Sequence, residues 1–121
     1  GVIAIFCGKL LAGERPTIFG DGHQTRDYVY VGDVVEANLA AAASDAVGAL
    51  NIGTGVETSV LDIVEVLRAL GDEPFDAEHA EARPGEVRHN ALDPSRAREE
   101  LGWQGKVSVR EGLERTLASL R

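Results

Sequence analysis

The chain has 121 residues, with 44% hydrophobic and 26% charged side chains and a formal net charge of −8. These are globular values, and the acidic balance argues against a nucleic-acid surface, which needs clustered cations rather than a repelling field. No apolar run reaches the roughly 18 residues that cross a bilayer, and Cys7 is the single cysteine, so a disulfide framework is excluded and one cytoplasmic domain over residues 1–121 is expected, with no membrane or nucleic-acid partner.

Taken in chain order, Ile3, Phe6, Cys7, Leu10 and Leu11 recur at helical spacing and predict a helix over residues 2–11, closed by Gly13 and Pro16. Thr17 to Phe19 follow as a short strand, and Gly20-Asp21-Gly22 as a turn. A second strand is expected over about residues 26–31, where alternation would put Arg26, Tyr28 and Tyr30 on one face and Asp27, Val29 and Val31 on the other. Asp33, with Glu36 three residues on, reads as an acidic capping pattern opening the alanine-rich helix "DVVEANLAAAAS". "ALNIG" reads as a short strand buried on both faces. Ser59 and Asp62 form a capping pattern ahead of a helix whose apolar stripe is Val60, Ile63, Val64, Leu67 and Leu70, with Gly71 ending it. Residues 72–92 read as a short strand and then a loop, Asp93-Pro94 as the start of the helix "PSRAREELGW", and Val109, Leu113, Leu117 and Leu120 as a last amphipathic helix. Strands alternating with helices make the fold class α/β.

Chemistry is sparse in these elements. Gly20 and Gly22 are followed by Thr25, and Gly53 and Gly55 by Thr58, so neither pair completes a dinucleotide fingerprint, and neither lysine follows a phosphate-cradling loop. His23, His79 and His89 lack metal-ligand spacing, and Cys7 lies on the apolar stripe of its helix, so no metal and no catalytic residue is expected. What remains is a binding constellation. Arg26 follows the glycine turn beside Tyr28, and the loop "EARPGEVRHN" carries Arg83, Glu86 and Arg88. Ten arginines against two lysines favour bidentate phosphate recognition, although an isolated arginine is more often a solvated charge or a structural ion pair.

The ordered motifs "PTIFGDGHQTRDYVYVGDVVEA", "NIGTG", "RPGEVR", "DPSRAREELGW" and "VSVREGLERTL" resemble the C-terminal portion of the extended short-chain dehydrogenase/reductase family of nucleotide-sugar enzymes, and within it most of all the UDP-glucose 4-epimerases. The resemblance implies a substrate-binding segment that lacks most of the Rossmann domain, and it spans essentially the whole chain. It implies that backbone groups of Thr17, Ile18 and Phe19 meet a uracil, that Arg26 and Arg83 bind the diphosphate of a UDP-sugar and that Glu86 binds the ribose, and Tyr28 joins this set through the strand face it is expected to share with Arg26. NAD would be bound by the N-terminal domain of such an enzyme, and none is expected on this chain. The family's catalytic Tyr-x-x-x-Lys pair is not met, because Gly32 stands four residues after Tyr28 and Val34 four after Tyr30.

The function so implied is nucleotide-sugar binding within a 4-epimerase that passes through a 4-keto intermediate, with the chain alone inactive. A dTDP-glucose 4,6-dehydratase, a UDP-glucuronate decarboxylase or a non-catalytic nucleotide-binding module are the rival readings. The absence of methionine and a start inside a helical pattern are read as signs of a longer parent, and the uncovered apolar helix and strand lead to an expectation of a homodimer or larger assembly.

Overall fold

The computed structural model describes residues 1–121. Five helices and four short strands follow one another: α1 (Val2–Ala12), β1 (Thr17–Phe19), β2 (Thr25–Arg26), α2 (Val31–Ala42), β3 (Thr58–Ser59), α3 (Val60–Leu70), β4 (Glu78–Ala80), α4 (Ser95–Leu101) and α5 (Val109–Ser119). No helix is long and apolar enough to cross a membrane.

The main core is built by helical periodicity. Phe6, Cys7 and Leu10 of α1, Val60, Ile63, Val64 and Leu67 of α3, and Leu113 and Leu117 of α5 meet in one cluster with Ile18 and Phe75. Each large side chain so buried stabilises the fold by roughly 1.5–3 kcal/mol. Helix α3 gives this cluster four residues, and its N-terminus is closed by a reciprocal cap. Ser59 Oγ accepts from Asp62 N at 3.0 Å while Asp62 Oδ2 accepts from Ser59 N at 3.0 Å, closing the capping box expected from the sequence. A smaller cluster, Ala37, Ala97 and Trp103, joins α2 to α4. Cys7 is fully buried, and burial pushes its thiol above the ordinary value, so it behaves as a core side chain.

Two two-stranded ladders organise the remaining backbone. β1 runs parallel to β4 with Thr17 opposite Glu78 and Phe19 opposite Ala80, and β2 runs antiparallel to β3 with Arg26 opposite Thr58. The turn between β1 and β2 requires glycine: Gly22 has φ +84°, and a Cβ there would lie 2.7 Å from Leu61 Cγ.

Three expectations are corrected. The second strand ends at Arg26, and residues 27–30 pair with no strand, because β3 supplies only two partners and then turns into α3. Strand alternation therefore does not bind Tyr28 and Tyr30 to the face of Arg26. Helix α2 begins at Val31, two residues before Asp33, and its first turn has no side-chain cap. The Asp33 carboxylate instead accepts from Lys106 N and Val107 N, each at 3.0 Å, while its carbonyl accepts from buried Trp103 Nε1 at 2.8 Å, so this residue ties α2 to the segment before α5. Finally, "ALNIG" forms no strand: Ala49 and Asn51 are exposed, and a strand needs a neighbour to pair its N–H and C=O groups. Its carbonyl partner is a side chain, Arg96 Nη1, which donates to Ala49 O at 2.9 Å.

Candidate functional site

The parallel pair β1–β4 ends in a cleft of about 260 Å³ between the glycine turn and the loop after β4. Phe19, Gln24, Arg83, Glu86 and Arg88 line it. The Arg83 guanidinium lies 4.0 Å from the centroid of the Phe19 ring, so the loop arginine is held over an aromatic face. Glu86 Oε1 is 3.6 Å from Arg26 Nη2. Arg26 reaches it from beneath and also donates from Nη1 to Val87 O at 2.7 Å and to Thr25 O at 2.6 Å, which pins the loop to β2. Arg88 closes the other side on Asp21 at 2.6 Å. That bond, followed by the N–H of His23, holds the Asp21 carboxyl well below its usual value.

The residues expected at a site are thus partly brought together. Phe19, Arg83 and Glu86 share the cleft, and Arg26 joins them through Glu86. Thr17 and Ile18 do not line it: the Ile18 side chain is in the main core, leaving only backbone to face a ligand. Tyr28 does not join them either. It is half-buried against the core and lines a separate cleft with Thr54 and Arg98, because the chain leaves the sheet after Arg26. Burial raises its phenol above the ordinary value, with nearby Arg26 opposing.

Two residues that sequence reasoning passed over position this site. Asp27 accepts from Thr54 N, Thr54 Oγ1, Gly55 N and Leu92 N at 2.6 to 3.1 Å, so a single carboxylate fixes the "NIGTG" turn and the end of the arginine loop. Burial works against its charge, but these hydrogen bonds outweigh it and lower its pKa. An acidic residue in an otherwise apolar extended run was the available signal. Gln24, nearly buried in the cleft wall, donates from Nε2 to Phe19 O at 3.0 Å and leaves its Oε1 without a partner. No feature of the sequence around it marked that role. Chemically, the cleft offers a stacked guanidinium, a second arginine and a carboxylate, a set suited to holding a phosphorylated, hydroxylated ligand.

This order of short sheets and helices is that of the C-terminal portion of the extended short-chain dehydrogenases/reductases. Residues 2–116 match the family described as GDP-mannose 4,6 dehydratase, and the chain belongs to that family of nucleotide-sugar enzymes. It is 44% identical to a UDP-glucose 4-epimerase of Mycolicibacterium smegmatis over 100% of its own length and 39% of that protein's. It superposes on the UDP-glucose 4-epimerase of Thermotoga maritima, solved with UDP-glucose, with a TM-score of 0.92 at 44% identity, covering 100% of this chain and 39% of that one. The UDP-glucuronic acid 4-epimerase of Bacillus cereus, solved with UDP-glucuronic acid and NAD, superposes with a TM-score of 0.90 at 29% identity over 100% and 40% of the two chains. The chain spans about two fifths of the length of these relatives.

Proposed function

We propose that this chain is the nucleotide-sugar-holding part of an NAD-dependent UDP-sugar 4-epimerase acting in the cytoplasm. The observation that carries the reading is the convergence of Arg83 and Glu86 on one cleft beside Phe19, with Arg26 locked to Glu86 from below. In this reading Arg83 leaves the Phe19 ring to bind a phosphate, Arg26 adds a second positive charge, and Glu86 accepts from ribose hydroxyls. The backbone of Thr17, Ile18 and Phe19 carries the base. The work of the segment is to orient the nucleotide so that the sugar is presented at a fixed place, which lowers the entropic part of the barrier.

In this reading no dinucleotide site is assigned to this chain, since Gly20 and Gly22 lead into Thr25 rather than into a third glycine and a helix. NAD is therefore assigned to residues outside these 121, and no chemical step is assigned to this chain. A dehydratase acting on another nucleotide sugar is the second reading, favoured by the family's own description. A decarboxylase on the same scaffold, or a non-catalytic nucleotide-binding module, would use the same cleft.

Calorimetric titration of UDP, dTDP and GDP into the protein tests this. Saturable UDP binding that is lost in Arg83→Ala supports the reading, tighter dTDP or GDP binding moves it to the dehydratase, and no nucleotide binding at all removes it. Turnover of UDP-galactose by the 121-residue chain alone would show that the catalytic groups lie here after all. Self-association belongs to the same proposal, because α2 exposes Val31, Val35 and Leu39 at four-residue spacing along one side.

A further inference from the structure

The largest cleft, about 610 Å³, lies elsewhere, between the "NIGTG" turn, α4 and the start of α5, and shares no residue with the Arg83 cleft. Its volume is in the range of small-molecule sites. Three cations line it, Arg98, Lys106 and Arg110, and no carboxylate does. That is unusual in this chain, where acids outnumber bases by 20 to 12 and Arg15, Arg26, Arg68, Arg88, Arg96 and Arg115 each sit within 4 Å of a carboxylate. Arg98 and Arg110 make no ion pair and no hydrogen bond from their side chains, and both are exposed. Asp93, whose pKa is lowered first by the hydrogen bonds of Ser95 and in small part by Arg98, does not line the cleft. Lys106 keeps a loose pair with Glu36 at 3.5 Å.

The backbone adds to this field. Helix α5 has 11 residues and opens into the cleft at Ser108, Val109 and Arg110, with Ser108 Oγ capping Glu111 N at 3.1 Å. The N–H groups of Val109 and Arg110 have no partner within the helix, and the helix dipole places positive potential at that end. We propose that this cleft is a second binding site, for a compact polyanion carrying at least two phosphate or carboxylate groups, gripped by Arg98 and Arg110 across the cleft and by the first turn of α5 at its base.

Inorganic pyrophosphate and, separately, citrate titrated calorimetrically into the 121-residue chain at low salt test the site. Saturable binding of either is expected, with the tighter of the two naming the anionic group preferred. Arg98→Gln with Arg110→Gln should weaken it by about tenfold or more, as loss of charge-assisted hydrogen bonds does, while Arg121→Gln, which lines neither cleft, leaves it unchanged. Unaltered affinity in the double variant, an equal loss in Arg121→Gln, or no saturation up to about 10 mM would overturn the proposal. A variant-free readout stands beside these: pyrophosphate should shift the backbone amide resonances of residues 105–110, and shifts confined to the Arg83 loop would equally overturn it.

Discussion

Replacing Asp27 with asparagine should loosen the joint on which the arginine cleft depends. The carboxylate takes Thr54 Oγ1 on Oδ1, Gly55 N and Leu92 N, at 2.9 and 3.1 Å, on Oδ2, and Thr54 N at 3.0 Å on both. In Asp27→Asn one oxygen becomes an NH₂ group, and the amides of Gly55 and Leu92 then either face that donor or donate to an uncharged oxygen in place of a charged one. Hydrogen bonds to a charged acceptor contribute about 1.5–3 kcal/mol each, but Gly55 and Leu92 are exposed and water can replace part of the loss, so about 2 kcal/mol is expected for the pair. In urea, with a slope of about 1.5 kcal/mol per M, the unfolding midpoint should fall by about 1.3 M at unchanged slope. The pH dependence carries a separate signature. The native pKa of Asp27 is lowered, so its contribution is complete above the unfolded carboxyl value of about 3.9 and is lost as pH falls through the lower native value. The gap between the two proteins should hold from neutral pH to about pH 5 and close below about pH 4. A midpoint shift under about 0.3 M, or a gap that widens on acidification, would refute this account of the joint.

Arg83→Ala should weaken UDP binding by about 1.5–3 kcal/mol in a calorimetric titration and leave the urea midpoint in place, because its exposed guanidinium stacks on the Phe19 ring and makes no hydrogen bond or ion pair within the chain. Arg26→Ala should weaken binding by a similar amount but also lower the midpoint, since its guanidinium holds Thr25 O and Val87 O; equal stability of the two variants would count against a structural share for Arg26. Leu67→Ala, at a position with no exposure in the centre of the main core, should cost about 2–5 kcal/mol by thermal or urea unfolding. Light scattering at micromolar concentration should report a dimer or larger species, and Leu39→Glu on the exposed side of α2 should return it toward monomer; a wild-type monomer that binds no hydrophobic dye would show that this side needs no cover.

Local patterns in the sequence were enough to place α1, α3 and α5, the β1 strand and the short strand of residues 72–92, because a period of 3.6 in apolar residues or a capping box acts over one or two turns and needs no distant partner. They also drew attention to Arg26, Arg83 and Glu86 by residue type, while the phosphate and ribose roles proposed for them rest on the family resemblance. What the sequence alone left undecided is whatever two distant segments settle between them. "ALNIG" has strand composition yet stays unpaired, because pairing belongs to a neighbour and not to the strand. Asp33 has the composition of a helix cap, yet two backbone amides more than 70 positions away compete for its carboxylate and win. Tyr28 stands two residues from Arg26 in sequence and in another cleft in space, since the ladder that would keep them on one face stops where β3 turns into α3. The assembly of Phe19, Arg83 and Glu86 around one cleft likewise follows from the parallel pairing of β1 with β4, a contact across some sixty residues whose loop-closure cost is offset by Ile18 of β1 and Phe75 ahead of β4, both in the main core.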